Sequence, residues 1–229
     1  MVPFKIYPKI FNDDELAAWT SLIESSSQTV DFHDNEGVWK DRGTVANISH
    51  WDWLDPRTIS IRQRLTDLLS PSLGDFAVDR SHILDAQLPW DIHNDTVIRC
   101  EDKQTDPQAV VMIPLQDCDA RTIVFDQSAD YDLFRRYRDE NPPISNHVPL
   151  AQWNELLDHC WPKDRYWLSI NAVYEWRKGD MVVFSRRAWH ASDNFKSRNI
   201  ENKRAIILFT GTKKSATIGH DEESAEKVV

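Results

Sequence analysis

The sequence predicts an all-β core with flanking helices packed on one sheet face. Three observations carry that expectation. Two amphipathic helical stretches precede residue 75, and from there to about residue 212 the chain breaks into short apolar runs separated by turn residues. The hydrophobic content, 41% of 229 residues, suits one domain with a sizeable core. The expected organisation is a single domain over 1–229: a helical lead-in 1–74, a strand-rich core 75–212 with an insertion at 127–175, and a polar tail 213–229.

The elements follow in order. "FKIYPKIF" reads as a short strand or extended arm. In "NDDELAAWTSLIESS", Asn12 can cap a helix and Glu15 completes a capping box, while Leu16, Trp19, Leu22 and Ile23 fall on one face. The polar, Trp-bearing stretch from Asp31 to Leu54 suits a loop or hairpin able to cover a pocket. A second helix starts at "DPRTISIRQRLTDLLS", with Asp55 as cap, Pro56 at the first position, and Ile61, Leu65, Leu68 and Leu69 at helical spacing. Strand candidates are "HILDAQLP", "DIHNDTVI", "AVVMIPLQ", "RTIVFD", "DMVVFS" and "RAIILFTG". The insertion holds a charged "YDLFRRYRDEN", then Pro142-Pro143, then a helix in "LAQWNELLDHC" with Leu150, Trp153, Leu157 and Cys160 on one side. The tail after Thr212 is polar and expected to fray.

Charge and cysteine usage exclude some roles. A net charge of −10 without a long basic run argues against gripping nucleic acid by its phosphates. No apolar run is long enough to span a membrane, and the N-terminus lacks the apolar core of a signal peptide. Cys100, Cys118 and Cys160 show no C-x-x-C spacing, as expected of reduced thiols in a cytoplasmic protein.

One constellation carries chemistry. In "PWDIHNDTVI", His93 and Asp95 stand two apart, so on a strand they point to one side. Two ligands leave a divalent metal under-coordinated. The best third is His190, after "KGDMVVFSRRAW", expected just past an apolar strand at the mouth of a sheet. An H-x-D alone is common, but two His and one carboxylate in this order form the facial triad of non-haem Fe(II) oxygenases. Arg204 opens "RAIILFTG" and, if inward with Ile206 and Leu208, could meet a carboxylate with both prongs of its guanidinium. Arg198, in the loop "FKSRN", competes for this role from a poorer platform. Gln87 could reach a co-substrate or substrate. Trp90 and Trp189 are expected to point away from the ligands into the core. Trp51, Trp53 and Lys40 are expected to be packing or surface residues. His33, His50, His82, His147, His159 and His220 lack partner spacing and read as structural or solvated.

The order H-x-D, apolar strands, "GDMVVF…H" and "RAIILF" resembles the Fe(II)- and 2-oxoglutarate-dependent oxygenases, nearest the prolyl-4-hydroxylase-like and phytanoyl-CoA-hydroxylase-like branches, over roughly residues 80 to 212. The resemblance implies a double-stranded β-helix, a distorted jelly roll with the metal between its sheets. It implies Fe(II) on His93, Asp95 and His190, with Arg204 on the distal carboxylate of 2-oxoglutarate and dioxygen as the oxidant. Asp95, where a halogenating relative would have Ala or Gly, implies hydroxylation with release of succinate and carbon dioxide. The implied substrate is a small molecule or an amino-acid or peptidyl side chain, with no nucleic acid or membrane partner. The alternatives are a non-catalytic, cupin-like barrel binding a metal or small ligand, and a zinc-dependent hydrolase or isomerase. An inward Arg204 beside the metal would argue against the barrel, which has no need of one.

Overall fold

The computed structural model describes residues 2–33, 44–96, 105–128 and 148–213. Lys40, Cys100, the "YDLFRRYRDEN" segment, Pro142-Pro143, His147, His220 and the tail beyond Lys213 lie outside the described residues.

Helix α1 (Asp13–Ser26) begins as its sequence dictates. The Asn12 side chain accepts from Glu15 N and the Glu15 carboxylate accepts from Asn12 N, both at 2.9 Å. Three acidic residues in the first turn complement the helix dipole. At the second helix, the Asp55 carboxylate accepts from Arg57 N at 2.9 Å, but the turn it caps is a 3-10 turn, Pro56–Thr58, and α2 follows as Ile59–Leu73. Leu16, Trp19 and Ile23 of α1 and Leu65, Leu69 and Leu73 of α2 are buried together with Ile83, Val111, Ile113, Val183, Ile206 and Leu208 of the sheet beneath. Each such side chain contributes roughly 1.5–3 kcal/mol on burial.

Among the described residues, ten strands build the core: β1 (Lys5–Tyr7), β2 (Gln28–His33), β3 (Thr44–His50), β4 (Ala77–Ala86), β5 (Thr105–Pro114), β6 (Arg121–Ser128), β7 (Ile170–Glu175), β8 (Met181–Ser185), β9 (Ala188–Ser192) and β10 (Lys203–Lys213). A seven-stranded antiparallel sheet runs β1-β8-β5-β10-β4-β3-β2, and a three-stranded one runs β7-β6-β9. Strand alternation divides β10 cleanly. Ile206 and Leu208 face the helices, whereas Ala205, Ile207 and Phe209 join Val110, Met112, Val124, Tyr174 and Trp176 between the sheets. The outer face of the smaller sheet is covered by α3 (Leu150–Leu156) and the residues after it, with Trp153, Leu156, Leu157 and Cys160 buried against Ile123, Phe125 and Trp189. The expected all-β core with helices on one face of the large sheet, a double-stranded β-helix, is the architecture observed.

Four local expectations are corrected, the first being the strand "DIHNDTVI", whose described residues, 91–96, bend around a single bridge at His93. His190 is not past a strand but inside β9, a separate five-residue strand reached through a turn at Arg186-Arg187. All five β9 residues are buried, so no polar–apolar alternation marks it. The stretch 127–175 is not all insertion, because β6 extends to Ser128 and β7 is a core strand. Leu150 is exposed, leaving Trp153 and Leu156 as the buried residues of α3.

Gly179 has φ +81°, its carbonyl accepts from Phe11 N at 3.2 Å, and a Cβ there would lie 2.3 Å from the Phe11 carbonyl oxygen. Gly74, after α2, has φ +70° with nothing within 4 Å of such a Cβ. Gly179→Ala should therefore destabilise by about 2 kcal/mol or more, from conformation and collision together, and Gly74→Ala by about 1 kcal/mol from conformation alone. Urea unfolding midpoints check this; equal losses at the two positions would refute it.

Candidate metal centre

His93 and His190 face each other across an isolated antiparallel bridge. His93 N donates to His190 O at 3.0 Å and His190 N donates to His93 O at 2.8 Å. A pair that exchanges both backbone bonds presents its side chains on the same face, and the imidazole centroids lie 4.2 Å apart. Two residues on, Asp95 N donates to Arg186 O at 3.0 Å, and the Asp95 carboxylate comes within 3.3 Å of His190 Nε2 and 4.0 Å of His93 Nε2. One ligand atom from each of the three residues falls within 4.8 Å of the others.

The ring nitrogens not directed at this point are occupied. His93 Nδ1 is 2.7 Å from Asp91 O, and His190 Nδ1 is 3.1 Å from Ala188 O. A carbonyl can only accept, so each Nδ1 carries the proton and each Nε2 keeps its lone pair for a cation. Burial, and next the neighbouring His93, push the His190 pKa down to about 4, while Asp95 acts in the opposite sense. His190 is thus neutral near pH 7, the form that ligates a metal. The donor set, two imidazoles and a carboxylate, fits a divalent transition metal with open positions.

Behind Asp95 lies a buried ion pair that sequence reasoning missed. Arg186 is fully buried. Its Nη1 donates to an Asp79 carboxylate oxygen at 2.6 Å and to Thr210 O at 3.1 Å, and its Nη2 donates to Asp95 O at 3.2 Å. The other Asp79 oxygen accepts from Thr105 Oγ1 at 2.7 Å. Arg186 therefore holds the Asp95 backbone at both its carbonyl and its amide. Removing one partner would strand the other charge in a low dielectric.

The three residues lie in the wall of a cavity of about 460 Å³ between the sheets. Arg204 does not line it. Its guanidinium pairs with Glu24 of α1 and lies 4.0 Å from Asp85, on the helix side of the sheet. The parity with Ile206 and Leu208 holds, but that face belongs to the helices, so Arg204 is not placed to meet a carboxylate in the cavity. Arg198 is also outside, donating to Asp119 O at 2.8 Å and pairing with buried Asp193. Gln87 is half-buried, its amide donating to Val45 O at 2.8 Å, and it is not a lining residue. The cation that β10 turns inward is Lys203. It lines the cavity, with Nζ 4.5 Å from the Trp176 ring centroid and 5.5 Å from that of Phe195. Burial pushes its pKa down to about 8 against the pull of Asp193.

The aromatic expectations divide. Trp189 is fully buried away from the cavity, edge-on to Trp167. Trp51 and Trp53 pack under the helices. Trp90 instead lines the cavity, stacked on Phe32 of the β2–β3 hairpin at 4.9 Å and 5.5 Å from the His93 ring. His50 and His82, expected to be structural or solvated, line it too, with ring centroids 5.6 Å apart. Strand alternation was the available signal, because Arg80, His82 and Leu84 share one face of β4.

No family model matches the sequence, and no curated protein matches it. Solved structures do match the fold. SnoN, a non-haem α-ketoglutarate-dependent epimerase of nogalamycin biosynthesis, superposes with TM-score 0.59 at 11% identity over 94% of this chain and 82% of that one. HygX from Streptomyces hygroscopicus, solved with nickel and 2-oxoglutarate bound, gives 0.55 at 15% identity over 91% and 82%. SnoK, an α-ketoglutarate-dependent carbocyclase of nogalamycin biosynthesis, gives 0.53 at 16% identity over 95% and 84%. The chain has the fold of the non-haem iron, 2-oxoglutarate-dependent oxygenases.

Proposed function

We propose that the chain is an Fe(II)- and 2-oxoglutarate-dependent oxygenase that oxidises an unactivated C–H bond of a small molecule, with hydroxylation as the outcome. The observation that carries this reading is the convergence of His93 Nε2, His190 Nε2 and the Asp95 carboxylate in the wall of a cavity that also holds an inward lysine. When bound there, ferrous iron with 2-oxoglutarate and dioxygen supplies the oxidation, releasing succinate and carbon dioxide. The protein's share is to hold, orient and keep dry.

His93, Asp95 and His190 would hold the metal, a donor set that leaves coordination open for co-substrate and dioxygen. Lys203 replaces Arg204 as the partner of the distal carboxylate of 2-oxoglutarate, and the Trp176 and Phe195 rings beside it exclude water and strengthen that pairing. Trp90 stacked on Phe32 offers an apolar wall beside His93 against which a substrate C–H can be oriented. A small-molecule substrate accords with SnoN, solved with Fe3+, α-ketoglutarate and nogalamycin RO, and with HygX, solved with nickel, 2-oxoglutarate and hygromycin B. Lys203 takes over the role by which an inward cation argues against a non-catalytic barrel.

Fe(II) and 2-oxoglutarate added without oxygen should give the weak visible charge-transfer band of the chelate, and admitting oxygen should release succinate. His93→Ala and His190→Ala should each abolish the band; its survival in both would sink the site assignment. Lys203→Ala should weaken 2-oxoglutarate binding by about tenfold or more, whereas Arg204→Ala should change it less than about twofold. With a pKa near 8, Lys203 is charged below that pH and loses its charge above it. Affinity for 2-oxoglutarate should therefore fall as pH rises through about 8, and Lys203→Arg, charged throughout, should flatten the fall. A pH profile identical in wild type and Lys203→Arg would remove Lys203 from the role.

A further inference from the structure

We propose that Arg80, flanked by His82 and His50, binds a carboxylate of the substrate, so that the compound oxidised is an organic acid with an apolar body. The inference rests on the oxygenase reading for what happens to that acid, though not for its binding.

Arg80 lines the cavity from β4, where its backbone pairs with Phe209, and among the described residues its side chain has neither an ion pair nor a hydrogen bond. Arg80 is half-buried, and an anion in the cavity would supply the counter-charge that its guanidinium lacks. The neighbours suit an anion as well. His82 is buried, lines the same cavity, and its Nδ1 has no hydrogen-bond partner. His50 lies directly opposite His82 on β3. Burial, with Arg80 contributing, lowers the pKa of both imidazoles, so the cluster offers one positive charge and two neutral rings with N–H donors. That charge matches a carboxylate better than a dianionic phosphate. Asp95, engaged in the triad, and Asp31 are the carboxylates among the lining residues. Asp31 stands on β2 at the register of Asn47 and Asp85, well along the sheet from Arg80.

The co-substrate does not account for this cation. Lys203 pairs with Ala86 in the β10–β4 register, six residues along β4 from Arg80, which places the two cations roughly 20 Å apart at the backbone. A five-carbon diacid held on the metal cannot reach both. Lys203 lies close enough to His190 to depress its pKa, and Arg80 contributes no such effect. Each end of the cavity therefore has its own cation, and the apolar residues Leu84, Ile48, Val30 and Phe32 cover the path along the Arg80 side.

The test is calorimetry with hydrocinnamate and its uncharged amide, hydrocinnamamide, on metal-free wild type, Lys203→Ala, Arg80→Gln and Arg80→Lys. The acid should bind wild type about tenfold or more tightly than the amide, which is about 1.4 kcal/mol. Lys203→Ala should keep that preference, Arg80→Lys should keep part of it, and Arg80→Gln should lose it. The anaerobic 2-oxoglutarate chelate band should titrate in Arg80→Gln as in wild type. Acid and amide binding alike, no binding of the acid at millimolar concentration, a preference lost in Lys203→Ala, or an Arg80→Gln protein that loses 2-oxoglutarate would each overturn the assignment. Failure of the wild-type chelate band would count against the oxygenase reading alone, since calorimetry without metal reads the acid site directly.

Discussion

The centre depends on a single pair of backbone hydrogen bonds, those exchanged by His93 and His190. Because the two residues lie directly opposite, neither imidazole can leave the shared face without breaking the ladder, so the site's geometry is set by main chain rather than by rotamer choice. Asp95 is tied to the same frame through the carbonyl of Arg186, in the turn that carries the chain from β8 into β9. The three donor groups, two imidazoles and a carboxylate, thus refer to one corner where the chain crosses from the large sheet to the small one.

That corner is held by charge. Arg186 and Asp79 are both out of water and hydrogen-bonded to further partners, which is the condition under which a buried pair is tolerated. Arg198 and buried Asp193 form a second pair near the start of β10. Two cations differ. Lys203 and Arg80 line the cavity without an ion pair of their own among the described residues, in a chain whose overall charge is −10. Positive charge has been concentrated inside an acidic protein, where a low dielectric lengthens its reach.

Much of this was legible in the sequence because it depends on local chemistry. The capping box of α1 and the Asp55 cap require only neighbours in the chain, and the H-x-D pair stands out by its spacing, although no strand carries it. What stayed hidden depends on which face of an element meets what. Both faces of β10 are apolar, one against helices and one against the second sheet, so nothing in the sequence distinguishes the face of Arg204 from that of Lys203. A shift of one residue separates a pair with Glu24 on the outside from a cation in the cavity. β9 escaped for the related reason that its five residues are all buried. His50 and His82 are thirty-two positions apart, and only the β3–β4 register brings them together.

The β2–β3 hairpin forms the outer wall of the cavity, and β2 is the terminal strand of its sheet. Phe32 reaches the metal corner only through Trp90, and that corner is anchored on β4, β9, β10 and the turn after β8. The apolar wall that β2 lends to the cavity is therefore separable from that corner, whereas Arg80 on β4 is the direct neighbour of Asp79, which holds Arg186. Changes confined to β2 would therefore reshape one wall of the cavity while leaving the backbone bonds of His93, Asp95 and His190 in place.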